Sequence, residues 1–222
     1  MNSKIVVTLV LAFCLVQGNH AETIDEVIAD MTTRINAIKT NIDGIIHDGG
    51  KLIGQARKTI GTIVAHAETT IYTQIDQVNN VVQEAEAEAA QKVVDVSQCV
   101  NVVNDALGVL DLHKLDACNN QEALNTLRAK LGNLGQLKHQ LSSAINGCLA
   151  KNPINVVALR NCIQGDIDSV NTQVVQIQEE INLVTAESTQ NAQNCANSAA
   201  TSLLQTIDTI AHDFKNCVSA IL

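Results

Sequence analysis

Apolar residues fall at helical spacing along most of this chain. From Ile24 they recur at Ile28, Met31, Ile35, Ile38, Ile42 and Ile45, in steps of four and three. That is a heptad seam with a period near 3.5 residues. Gly49-Gly50 offers a stop after it, since glycine accepts the left-handed backbone of a helix end. A second run passes through Ile60, Ile63, Ala67, Ile71, Ile75, Val78, Val82, Ala85, Ala89, Val93, Val96, Val100, Val103, Leu107 and Leu110. Its phase slips near Ala67–Ile75 and near Ala89–Val93. Residues 84–90 alternate Glu and Ala like a strand, but both are strong helix formers, so helix is expected there too.

Residues 111–120 predict a break. Asn119 and Asn120 can each cap the next helix, and Glu122 lies three residues after Asn119 as in a capping box. That helix carries Leu124, Leu127, Leu131, Leu134, Leu137, Leu141 and Ile145. Asn152-Pro153 then reads as an N-cap followed by proline at the first helical position. The last run holds Leu159, Ile163, Ile167, Val170, Val174, Ile177, Ile181 and Val184. It continues through Ala192, Cys195 and Ala199 to Leu203, Ile207, Ile210 and Phe214. Val and Ile favour strands intrinsically, yet the period is helical over long stretches and turn residues are sparse. The pattern predicts an all-α protein of long antiparallel helices with coiled-coil-like seams.

The start of the chain differs. Lys4 precedes an apolar run from Ile5 to Val16, with small residues following at Gly18 and Ala21. A basic start and a short apolar stretch predict a cleaved secretory signal peptide over residues 1–18, with 21 as the alternative end. The run is shorter than the roughly 20 residues that span a membrane. The expected product is secreted and extracellular, with no transmembrane segment.

Charge and composition narrow the function classes. The net charge is −9, and an acidic chain repels phosphate backbones, so nucleic acid is not an expected partner. There is no Trp, and beyond the leader only Tyr72 and Phe214 are aromatic. Ligand pockets lean on aromatic side chains; narrow helical seams of Ile, Val, Leu and Ala do not need them.

Cys14 leaves with the leader. Cys99, Cys118, Cys148, Cys162, Cys195 and Cys217 remain, and an even count in a secreted chain implies disulfides. Outward from Asn152-Pro153 the gaps are 30 and 19 on the left and 33 and 22 on the right. An antiparallel hairpin brings together residues of nearly constant index sum. The sums are 310 for Cys148 with Cys162, 313 for Cys118 with Cys195 and 316 for Cys99 with Cys217. The spacing therefore predicts three nested bridges. It also divides the mature chain into a cysteine-free amphipathic arm, residues 22–98, and a disulfide-stapled helical domain, residues 99–222.

Candidate chemistry is thin. Gly49-Gly50-Lys51 lacks the spacing and the hydroxyl of a phosphate loop. His20, His47, His66, His113, His139 and His212 form no zinc-like spacing with each other or with cysteine. Glu84, Glu86 and Glu88 spread over different helix faces and read as a solvated surface. No catalytic, metal or cofactor-binding residue is expected, and the chain does not read as an enzyme.

A leader, a helical arm and an aromatic-poor region with Cys99, Cys118, Cys148, Cys162, Cys195 and Cys217 around Asn152-Pro153 resemble the tsetse EP family of insect secreted proteins. The Glu-Pro repeat tail of the founding member is missing; residues 84–90 repeat Glu-Ala instead. The resemblance implies a non-enzymatic extracellular role linked to the insect gut and to responses to infection. It carries over no site residues. Two functions follow as expectations: a structural or recognition protein that binds a protein partner or itself through its heptad seams, or a carrier of lipid or small apolar ligands through amphipathic helices.

Overall fold

A computed structural model describes residues 22–222; the expected leader lies outside them. The described residues are all-α. Helix α1 spans Ile24–Lys92, α2 Ser97–Gly108 and α3 the single turn His113–Asp116, which runs into a 3-10 turn at Ala117–Asn119. Helix α4 spans Glu122–Lys151 and α5 Val156–Ser219. At about 1.5 Å per residue, α1 and α5 are each on the order of 100 Å long.

Side-chain contacts fix the directions. Arg160 of α5 meets Glu22 and Asp30, Arg34 meets Gln164, and Gln74 meets Asp208. The numbers rise together, so α1 and α5 run parallel. Asp43 meets Lys138 and Arg57 meets Asn125; here one number rises as the other falls, so α4 is antiparallel to α1. Lys130 pairs with Glu180 across α4 and α5 in the same antiparallel sense. The fold is an up-down-up rod of three helical columns whose middle column is broken. The expected antiparallel packing holds for α4 against each outer helix, which leaves the outer pair parallel.

The seams also differ from the expected heptads. In α1, Val27, Ile38, Gly49, Ile60, Ile71 and Val82 recur every eleventh residue, and so do Met31, Ile42, Ile53, Val64 and Ile75. In α5, Leu159, Val170, Ile181, Ala192, Leu203 and Phe214 form one such row. Ile163, Val174, Thr185, Ala196, Ile207 and Val218 form another. Eleven residues fill three turns of a helix only slightly unwound from straight, whereas a seven-residue repeat imposes a left-handed supercoil. The apparent phase slip near Ala67–Ile75 is an additional four-residue step of this longer repeat, whereas the one near Ala89–Val93 is the end of the helix. Helix α4 keeps sevens along its length, at Leu127, Leu134, Leu141 and Cys148. A heptad stripe drifts about 20° per repeat on a straight helix. The break before α4 resets the register of the middle column against its neighbours.

Four local expectations are corrected. Gly49-Gly50 does not stop α1; both residues have ordinary negative φ, and Gly49 is buried where α1 meets α4 and α5. The second run is not one helix, because α1 ends at Val93, which takes φ 57° and ψ 44°. The Asn119–Glu122 capping box does not form: of the two expected caps, Asn120 Oδ1 receives the Glu122 amide, while Asn119 Oδ1 accepts from Gln121 Nε2. Asn152 ends α4 rather than starting α5; its Nδ2 donates to the Cys148 carbonyl, while Asn155 caps α5 through Ala158 N.

Two apolar clusters fill the rod. One joins the first part of α1 to α4 and to α5 as far as Ala192. The other joins α1 from Val64 onward to α2, Leu115 and Cys118 and to α5 from Ala196. The cysteine-free arm is thus no free arm. Its helix packs along its whole length, and both clusters draw on it.

Candidate functional site

The six cysteines meet in three pairs. Cys148 and Cys162 lie 5.7 Å apart between Cα atoms, Cys118 and Cys195 5.4 Å, and Cys99 and Cys217 5.9 Å. These are ordinary disulfide separations. Every bridge ties the middle column to α5, at one end of the rod, at the junction of the two clusters and at the far end. On α5, Cys162, Cys195 and Cys217 are 33 and 22 residues apart. Both gaps are multiples of eleven, so the three sulfurs leave one face of the helix. The middle column spans the same axial distances with fewer residues. It has one non-helical break in each interval, Val109–Leu112 between the outer and central bridges and Asn120–Gln121 between the central and inner ones, and such residues rise roughly twice as far each as helical ones. That accounts for the steady drift of three in the index sums.

A cleft of about 500 Å³ opens at the central bridge, where the 3-10 turn gives way to α4. Asn120, Glu122 and Thr126 line one side, Ser188 and Asn191 the other, and the Cys118–Cys195 bridge lies in its wall. These are amides, hydroxyls and one carboxylate, with no nucleophile–base pair and no aromatic ring. Nearby, Arg57 gives Nη2 to Asn125 Oδ1 at 2.5 Å while its Nε is buried without a partner. The sequence did not point to this cleft, because only the break in the middle column creates it.

A smaller cleft of about 170 Å³ lies between Tyr72 and the turn carrying His113 and Asp116. His113 Nδ1 sits 3.0 Å from Asp116 Oδ2. That hydrogen bond, the Asp116 charge and the Asp111 charge raise the affinity of the imidazole for its proton. His47, His66, His139 and His212 are exposed, as are Glu84, Glu86 and Glu88; His20 lies outside the described residues. Among the described residues no three His, Cys, Asp or Glu side chains converge as metal ligands. No described helix is long and apolar enough to cross a membrane.

The fold and bridges define a disulfide-stapled, all-α, three-column rod. No family model, characterised protein or solved structure matches the chain.

Proposed function

We propose that the chain works outside the cell as a non-enzymatic helical scaffold that acts by recognising a protein partner. One observation carries this reading: the apolar rows of α1, α4 and α5 are spent on each other, leaving a long, mostly polar rod. The bridges support an extracellular setting, because thiols stay reduced in the cytosol. The resemblance to the tsetse EP family adds the insect gut and infection as the setting. Self-association through the seams would require the rod to open, so its working form is a monomer that presents a surface.

A carrier of lipid or small apolar ligands is the second reading, favoured by one fact. All three bridges join the middle column to α5, and α1 carries none. Only packing and surface pairs hold α1, so it is the element able to swing out and offer its apolar rows to lipid.

Solvent extraction of the natively purified protein separates the two. A scaffold returns no stoichiometric lipid and stays monomeric in light scattering over a wide concentration range. One or more lipid molecules per chain, with flotation on liposomes, would replace the scaffold reading by the carrier.

A further inference from the structure

Charge is divided unevenly along the rod. The half built from residues 64–119 and 196–222 holds eleven acidic side chains and three lysines, a net −8. The other half, residues 22–63 and 120–195, holds twelve acidic and ten basic side chains, a net −2. Ion pairs that cross between helices follow the same division. Asp43–Lys138, Glu180–Lys130 and Arg160 with Glu22 and Asp30 all lie in the nearly neutral half. Among the described residues, the ion pairs of the acidic half are local, Glu88 with Lys92 and Asp116 with His113.

The acidic half also exposes aliphatic side chains. Helix α2 buries Cys99, Val100 and Val103. Val102, on its outward side, is 62% exposed, and Val109, at its C-cap, is 80% exposed. Positions 102, 105 and 109 share one helical face, since residues three, four and seven apart line up. That face therefore presents Val102 and Val109 on either side of Asp105, with Asp95 and Asp111 beyond the two ends of the helix. The outer columns cover none of it.

We propose that this outward face of α2 is a docking surface for a cationic amphipathic peptide. The valines supply apolar contact for the partner's nonpolar stripe. The carboxylates and the net charge of this half attract its basic residues and set its orientation, which is the complementarity that governs charged interfaces. An anionic partner would meet repulsion here, and a purely apolar one would leave the carboxylates buried without counter-charges. The proposal rests on the recognition reading above and supplies the chemical class of the partner.

The test uses the full mature chain and a labelled peptide with lysine and leucine at helical spacing, followed by fluorescence anisotropy. The expected result is saturable one-to-one binding that weakens at least tenfold from low to high salt. An all-lysine peptide binds at least tenfold more weakly. Val102→Ser with Val109→Ser lowers affinity about tenfold, and so does Asp105→Asn with Asp111→Asn; Asp95 is left intact because its Oδ1 accepts the Ser97 amide at the start of α2. The substituted side chains are exposed, so unchanged helicity and melting identify folded variants. Equal binding of the all-lysine peptide with no loss in the valine variant would overturn the proposal, as would no binding at all. Flotation on phosphatidylcholine vesicles that is lost in the valine variant would also overturn it, assigning the face to lipid. A failure here with a lipid-free monomer leaves the scaffold reading standing. Stoichiometric extracted lipid removes that reading whatever the peptide does.

Discussion

Gly49 of α1 and Ile181 of α5 approach so closely that a Cβ on the glycine would stand 3.0 Å from Ile181 Cδ1; Leu131 Cδ2 of α4 would be equally near. All three columns meet closely at this glycine. Gly50, one residue on, faces open space. Replacing glycine by alanine in a helix gains about 1 kcal/mol of intrinsic propensity, and overpacking a tight core costs about 1–3 kcal/mol. Gly50→Ala is therefore expected to stabilise the rod by about 1 kcal/mol. Gly49→Ala is expected to destabilise it by about 1 kcal/mol, the overpacking outweighing the propensity. Denaturant unfolding of the two variants reads the difference directly. Equal stabilisation by both would mean that the close approach is absent.

Gly49 also shows where sequence reading stops. A Gly-Gly pair beside an apolar run has the composition of a helix end, and only the neighbours reveal it as a contact point. The helical period and the mirrored cysteine gaps are local and one-dimensional, so they were legible. The eleven-residue repeat was legible in principle. Ile24 to Ile45 is too short to separate seven from eleven, but the gaps of 33 and 22 between Cys162, Cys195 and Cys217 carry it. The parallel sense of α1 and α5 was not legible, because no cysteine ties α1 to anything. The two clefts were not either, since both depend on where the broken middle column folds.

Val93 ends α1 in the left-handed region, where a β-branched side chain is strained. Its amide bonds to the Ala90 carbonyl and that of Val94 to Ala89, the closing pattern that glycine usually serves. The side chain is 91% exposed, so little packing is lost on its removal. Val93→Gly is expected to stabilise the fold by about 1 kcal/mol, the relieved strain exceeding the added freedom of the unfolded chain. For a domain of this size that raises Tm by about 2–4 °C. Calorimetry with Val93→Ala as a reference, which keeps the left-handed penalty, checks it. A lower Tm for the glycine variant would point to a contact of Val93 that the fold does not display.

The bridges make a covalent prediction. Proteolysis of the unreduced protein should release Cys148–Cys162, Cys118–Cys195 and Cys99–Cys217 as linked peptides; a Cys99–Cys118 link would refute the nested arrangement. Removing the outermost pair as Cys99→Ala with Cys217→Ala frees loops of tens of residues beyond the central bridge. Chain entropy puts the loss at about 4 kcal/mol. It should fall mainly on the end of the rod held by α2 and the last turns of α5. Hydrogen exchange would then show lost protection there, while α4 keeps its own.

The start of α1 should be sensitive to acid. Glu26 accepts the Thr23 backbone amide at 2.8 Å and its hydroxyl at 3.0 Å, while Thr23 Oγ1 receives the Glu26 amide at 3.3 Å. The backbone bond first, and the side-chain bond after it, hold the Glu26 carboxyl below the usual glutamate range. A group with a lowered folded pKa contributes stability that is present above its unfolded value and is lost as pH falls through the folded one. Amide protection in the first turn of α1 should therefore decline as pH drops below the ordinary glutamate range. Glu26→Gln keeps an acceptor oxygen and removes the titration, so its first turn should lose much less protection over that interval. NMR titration of the two chains makes the comparison. Parallel acid profiles would show that the capping box does not couple Glu26 to the helix start.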